Sequence, residues 1–215
     1  MLVVEHITHT SLDRYVTDNF YKPLGLSTIG YQPLIRFPKD RMMPTENDVD
    51  FRHQLVQGDV HDPGAAMLGG VGGHAGLFSD ASDLAVIMQM LINGGTYGGT
   101  RFFSDSTVAE FTKCQCCSLP SPVGKENRRG LGWDKPQPHG KEGPACDCVS
   151  FASFGHTGFT GTMVWADPEK KLVYIFLSNR VHPSAANKKI QELNIRTRIQ
   201  QVIYDAIEGR SVAIK

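Results

Sequence analysis

The sequence predicts a mixed α/β (α+β) fold, an antiparallel β-sheet flanked by helices, and three observations carry that expectation. Ser150–Phe154, Gly161–Ala166 and Leu172–Leu177 read as strands, and Asp167-Pro168-Glu169-Lys170-Lys171 supplies a turn that makes the last two an antiparallel hairpin. The run Leu172-Val173-Tyr174-Ile175-Phe176-Leu177 has no polar alternation, so both of its faces need covering. Helical spacing supplies the cover: Leu84, Met88 and Leu91 on one side of the strands in sequence, and Ile195, Ile199, Val202, Ile203 and Ala206 on the other.

Taken in order, Ser11 is placed to cap a helix carrying Leu12, Tyr15, Val16 and Phe20, which Lys22-Pro23-Leu24-Gly25 ends. From Leu24 to Phe78 the chain is rich in Gly, Pro, Asp and Asn without sustained periodicity, the mark of irregular chain over a scaffold. Ser79-Asp80 opens the helix of Leu84, Met88 and Leu91, and Gly94-Gly95 stops it. A shorter helix starts at Ser104 and is expected to bury Val108 and Phe111. Loop follows to Cys148, with a short strand expected at Gly130-Leu131-Gly132-Trp133. The last helix starts near Ser184 and ends at Gly209. There is no internal repeat, and the chain reads as a single portion of one domain over 1–215. Within it, 1–112 is a helical and loop region, 113–149 a variable Cys-containing loop, and 150–215 the sheet strands and C-terminal helix.

Composition excludes several function classes. With 215 residues, 40% of them apolar, 20% charged and a formal net charge of zero, the chain is neither disordered nor marked by a basic footprint for nucleic acid. Its apolar runs fall far short of the roughly 20 residues that span a bilayer, so no membrane span is expected. Met1-Leu2-Val3-Val4-Glu5-His6 lacks the basic and apolar regions of a secretory signal. The five cysteines fall in two groups, Cys114, Cys116, Cys117 and Cys146, Cys148. Free or locally paired thiols in a variable loop are expected, and the alternative is a zinc site that also draws on nearby His139. The glycines from Gly69 to Gly76 follow no suitable strand, which argues against a nucleotide loop. Glu46, Arg52, His61 and Asp62 are expected to satisfy one another and the backbone.

One segment carries more specific chemistry. Phe154-Gly155-His156-Thr157-Gly158-Phe159-Thr160-Gly161-Thr162 joins two expected strands, and Ser178-Asn179-Arg180 follows the hairpin. A donor at His156 and the hydroxyl of Thr157 suit a substrate carboxylate, and Gly158 lets a ligand approach the backbone. Upstream stand Tyr21-Lys22-Pro23-Leu24-Gly25-Leu26, Pro44-Thr45-Glu46 through Phe51-Arg52, Gly58-Asp59-Val60-His61-Asp62-Pro63, Leu68-Gly69-Gly70-Val71-Gly72-Gly73-His74-Ala75-Gly76-Leu77-Phe78-Ser79 and Asp83-Leu84-Ala85.

In this order, and over nearly the whole chain, these segments resemble the penicillin-recognising serine hydrolases, the β-lactamase/transpeptidase-like family related to class C β-lactamases. The resemblance implies an incomplete β-lactamase-like sheet with its helices. It makes His156, Thr157, Gly158, Phe159 and His74 substrate-binding, with the Phe159 N–H as an oxyanion-hole donor, and it implies no cofactor. The family's Ser-x-x-Lys and Tyr-x-Asn motifs are missing, since no serine here is followed by lysine three residues on; Ser184 misses by one. In the family both motifs precede the helix ending in Pro-Leu-Gly, so they are expected upstream of Met1, and this chain is expected to have no catalytic residue of its own. The resemblance implies an intact bacterial envelope hydrolase acting on a β-lactam, a D-amino-acid peptide or an ester. It further implies a small-molecule or peptidoglycan-like substrate, and exposed apolar surface that pairs with the missing segment or a second copy. A non-catalytic binding module and a zinc-dependent unit are the alternatives.

Overall fold

The computed structural model describes residues 1–117 and 127–210. Its contacts divide the chain into two compact units, each discontinuous in sequence.

The first unit comprises Met1–Val86, Phe159–Gly161 and Leu177–Lys188. Helix α1 (Leu2–Thr8) buries none of its residues. It is followed by α2 (Leu12–Val16), whose chain continues as a π-helical turn over Thr17–Tyr21. Ser11 does precede α2, but its side chain makes no cap bond; the Leu12 N–H is taken by Glu5 Oε1 at 3.1 Å. A carboxylate from the preceding helix does the work expected of the serine.

The stretch expected to be wholly irregular contains regular pieces. Strands β1 (Pro44–Asp48) and β2 (Gln54–Gln57) form an antiparallel hairpin whose register shifts between Pro44 and Glu46. Asp62 caps α3 (Pro63–Met67) by accepting the Ala65 N–H at 2.8 Å. Helix α4 (Ala81–Ile92) begins after Asp80, whose Oδ1 accepts the Asp83 N–H at 2.9 Å.

Asp83 then organises the loop in front of it. One oxygen, Oδ2, accepts the N–H groups of Ser27, Thr28 and Ile29 at 3.0, 2.7 and 2.9 Å and the Thr28 hydroxyl at 2.7 Å. Burial pushes its pKa up, but the donors of Ile29, Thr28 and Ser27 outweigh it and hold the carboxyl below its ordinary value.

The second unit comprises Ile87–Gly158, Thr162–Phe176 and Lys189–Lys215. It holds the end of α4, a two-residue hairpin of β3 (Thr96–Tyr97) and β4 (Thr100–Arg101), and α5 (Asp105–Thr112), capped by Ser104 Oγ on the Thr107 N–H. Val108 is buried as expected, whereas Phe111 is 48% exposed. No strand forms at 130–133; the Gly130 N–H bonds the Trp133 carbonyl in a turn, and a single bridge joins Arg129 to Asp134.

The sheet is three-stranded, β5 (Phe154–Thr157), β6 (Met163–Asp167) and β7 (Leu172–Phe176), antiparallel in the order β5-β6-β7. The first strand starts four residues later than expected, because Ser150 to Ser153 close a turn. Both faces of the sheet are covered. Met163, Trp165 and Tyr174 pack with Cys146, Val149 and Tyr204 on one face; on the other, Phe154 and Ala166 pack with Met88, with Val173 and Ile175 against them. Short α6 (Lys189–Glu192) precedes α7 (Ile195–Ile207). The buried stripe of α7 is Gln200 and Tyr204, while Ile199 and Val202 are 40% and 45% exposed, a correction to the expected Ile199/Val202 face. Tyr204 turns inward because its hydroxyl donates to the buried Asp167 at 2.8 Å, and burial first, then Asp167, pushes that phenol's pKa far up. Among the described residues no helix is long and apolar enough to cross a membrane.

Replacing Asp83 by Asn is expected to lower the unfolding free energy by about 2 kcal/mol at neutral pH, a charged acceptor being lost to several donors. A carboxyl held low contributes fully above its unfolded pKa of about 3.9 and loses that contribution as pH falls through its folded value. Urea titrations from pH 7 to pH 2 check both points: the wild type loses stability more steeply below about pH 4 than Asp83→Asn does.

Candidate functional site

In the second unit the register is Phe154↔Ala166, Gly155↔Trp165, His156↔Val164 and Thr157↔Met163. This pairing places His156 and Thr157 at the end of β5, with Gly158 closing onto β6 through its N–H on the Thr162 carbonyl at 2.9 Å. Gly155 is required: a Cβ there would lie 2.3 Å from the Trp165 ring and from the Val164 carbonyl. The exposed His156 is oriented by its own backbone, Nδ1 donating to the Thr157 carbonyl at 2.8 Å. That bond fixes the tautomer and leaves Nε2 without a partner among the described residues. The Thr157 hydroxyl likewise has none.

Beneath the strand lies a residue that no local pattern announced. Lys135 is 4% exposed, its Nζ donates to the Ala152 carbonyl at 2.9 Å, and it lies 5.9 Å from the centre of the Phe154 ring. Desolvation, with Arg128 adding to it, lowers its pKa to about 8. Asp134 exchanges both backbone bonds with Gly155, at 2.7 and 3.2 Å, so the segment carrying Lys135 is tied to the strand.

The first unit holds Phe159 and His74. Phe159 is 62% exposed, and its N–H has no acceptor among the described residues. Its carbonyl accepts Arg180 Nε at 2.8 Å, the Arg180 guanidinium sits 4.6 Å from its ring centre, and the His61 ring lies 4.9 Å away. Arg180 also donates to the carbonyls of Ala185 and Asn187. The turn 159–161 is narrowed by Gly161, at φ 107°, where a Cβ would meet Ser178 Oγ at 2.4 Å. His74 Nε2 pairs with Asp62 Oδ1 at 3.0 Å, and the Ala65 N–H and then His74 hold the Asp62 carboxyl below its ordinary value.

The remaining polar set satisfies itself. Glu46 bonds His61 at 3.0 Å; Arg52 pairs with Asp48 at 2.9 Å and donates to the carbonyls of Val60 and His61 at 2.6 and 2.9 Å. The cysteines pair locally, Cys114 with Cys117 and Cys146 with Cys148, and Cys116 is free. That pairing removes the thiolates a zinc site needs, and no group of three or more metal-ligating side chains occurs among the described residues.

A helix-covered antiparallel sheet whose edge strand ends in His-Thr-Gly defines the class of penicillin-recognising folds. The sequence profile of the β-lactamase family matches residues 2–196, and the chain belongs to that family. Over 201 residues it is 39% identical to a protein of Salmonella schwarzengrund assigned as a D-alanyl-D-alanine carboxypeptidase, covering 87% of this chain and 44% of that one. The chain thus spans less than half the length of the curated relatives it matches. Solved folds agree: a β-lactamase from Mycobacterium bovis superposes with a TM-score of 0.60 at 21% identity over 94% of this chain and 59% of that one. A penicillin-binding protein homologue from Caulobacter crescentus gives 0.56 at 18%, over 83% and 49%.

Arg180→Ala removes the charged donor from the Phe159 carbonyl. Exchange of the amide at position 180, which donates to the Thr160 carbonyl at 2.9 Å, is expected to accelerate about tenfold or more, while the amides of β6 are unchanged, as read by hydrogen–deuterium exchange.

Proposed function

We propose that this chain carries the substrate-binding wall of a serine hydrolase whose intact form cleaves D-amino-acid peptides, β-lactams or esters through an acyl-serine. The relative assigned as a D-alanyl-D-alanine carboxypeptidase supports the first, and the substrate we assign is accordingly a peptidoglycan-like peptide of the cell envelope. The observation that supports this reading is the end of β5. There His156 and Thr157 offer an imidazole nitrogen and a hydroxyl not engaged elsewhere among the described residues, held in register by four consecutive pairs with β6. In its cationic form, with Nδ1 still donating to the Thr157 carbonyl, the imidazole donates from Nε2 to a substrate carboxylate beside the Thr157 hydroxyl, and charge assistance makes such bonds the strong ones. Gly158 leaves room for the ligand against the backbone. The Phe159 N–H is the candidate donor to the oxyanion, while Arg180 holds the other end of that residue. His74 is assigned to the same substrate by the order of the family motifs alone.

Acyl transfer also needs a nucleophile with its base, and no serine in these 215 residues is followed by lysine three positions on. The chain by itself therefore binds and does not turn over. Incubating it with a fluorescent penicillin and, separately, a fluorophosphonate is expected to leave its intact mass unchanged. A stoichiometric adduct on any serine would contradict this and would locate a nucleophile of another kind.

A further inference from the structure

The first unit holds a cavity of about 350 Å³ whose lining includes Asp13, Tyr21, Leu26, Ile29, Tyr31 and Arg36. None of these residues belongs to the β5 wall. Its floor is apolar, since Leu26 and Ile29 are buried. The Tyr31 hydroxyl donates to the Gly72 carbonyl at 3.0 Å, which fixes that ring. Burial pushes the Tyr21 phenol up to about 12, and the same cause, followed by the neighbouring Asp13 charge, raises Tyr31. Both rings are therefore neutral walls at any physiological pH.

The charges around the cavity are unequally committed. Lys22, also in the lining, is paired with Asp18 at 2.6 Å. Arg36 donates to the Ile29 and Ser27 carbonyls and lies 5.0 Å from the Phe37 ring centre. The side chain of Asp13 is half-buried, and its carboxylate has neither a hydrogen bond nor an ion pair among the described residues, although its backbone carbonyl accepts the Thr17 N–H. A carboxylate without a partner of its own gains a charge-assisted hydrogen bond when a cation reaches it from solvent. One carboxylate is too few for a divalent metal, which takes six or more oxygen ligands. Two tyrosine rings in the lining beside a single carboxylate instead suit an ammonium on a carbon chain.

We propose that this cavity binds an organic ammonium, with the Asp13 carboxylate accepting its N–H donors, the Tyr21 and Tyr31 rings as its walls, and its alkyl part on Leu26 and Ile29. The site goes beyond the β5 wall and stands or falls independently of it.

Calorimetric titration of the full chain with n-butylammonium chloride, 1-butanol and sodium butyrate tests this. Saturable one-site binding of butylammonium alone is expected, with affinity reduced about tenfold or more in Asp13→Asn. Tyr21→Leu, which removes a ring and no charge, is the second variant should Asp13→Asn melt early, and it is expected to weaken binding roughly threefold to fivefold. Absence of saturable butylammonium binding, equal binding of butanol, or unchanged affinity in a folded Asp13→Asn or Tyr21→Leu variant would each overturn the proposal.

Discussion

Strand β6 is the member of the sheet with a partner on both edges and cover on both faces, and the second unit is built outward from it. Its side chains alternate between two cores: Met163 and Trp165 pack toward Tyr174 and Tyr204, Ala166 toward Met88 and Phe154. A slip of one residue would exchange these sets and place Trp165 against Met88, so the register is over-determined by packing. The strand ends in Asp167, fully buried, which accepts the Ser150 N–H and hydroxyl, the Lys170 N–H and the Tyr204 hydroxyl. One carboxylate thereby fixes the β6–β7 turn, the approach to β5 and the seat of α7. The position of His156 and Thr157 follows from that register, and the geometry of the candidate site is inherited from the core.

The first unit solves a different problem. It has little periodic structure, so its backbone groups need side-chain partners, and aspartates supply them. Asp83 gathers three consecutive N–H groups, Asp48 takes those of Asp50 and Phe51 and holds Arg52, and Asp62 caps α3 while binding His74. Carboxylates, those of Asp83 and Asp48 buried and that of Asp62 partly exposed, serve here where a sheet ladder would serve elsewhere. A loop held by charge-assisted bonds keeps its shape without a large core, at the cost of sensitivity to acid.

The β6–β7 hairpin was legible in the sequence because apolar runs around Asp-Pro admit few other structures, and His-Thr-Gly was legible as a motif at a strand end. What escaped was long-range. The β1–β2 hairpin is written in polar residues, Pro44-Thr45-Glu46-Asn47-Asp48, which carry no strand signal; Asn47 is held by the distant Pro183 carbonyl. The buried face of α7 was misread because Gln200 is polar, yet it turns inward to accept the Cys146 N–H at 2.9 Å. Likewise Arg180 and Lys135 act on Phe159 and Ala152, residues that no periodicity links to them. Ser11 shows the converse: a correct cap residue in sequence, replaced in space by Glu5.

The end of β5 is proposed to recognise a carboxylate. Amide chemical-shift mapping of the full chain with N-acetyl-D-alanyl-D-alanine and with its C-terminal amide tests it most directly. Saturable shifts at His156 to Phe159 with the carboxylate, and none with the amide, are predicted. No movement of those resonances, or equal movement with both ligands, would rule out carboxylate recognition by the end of β5.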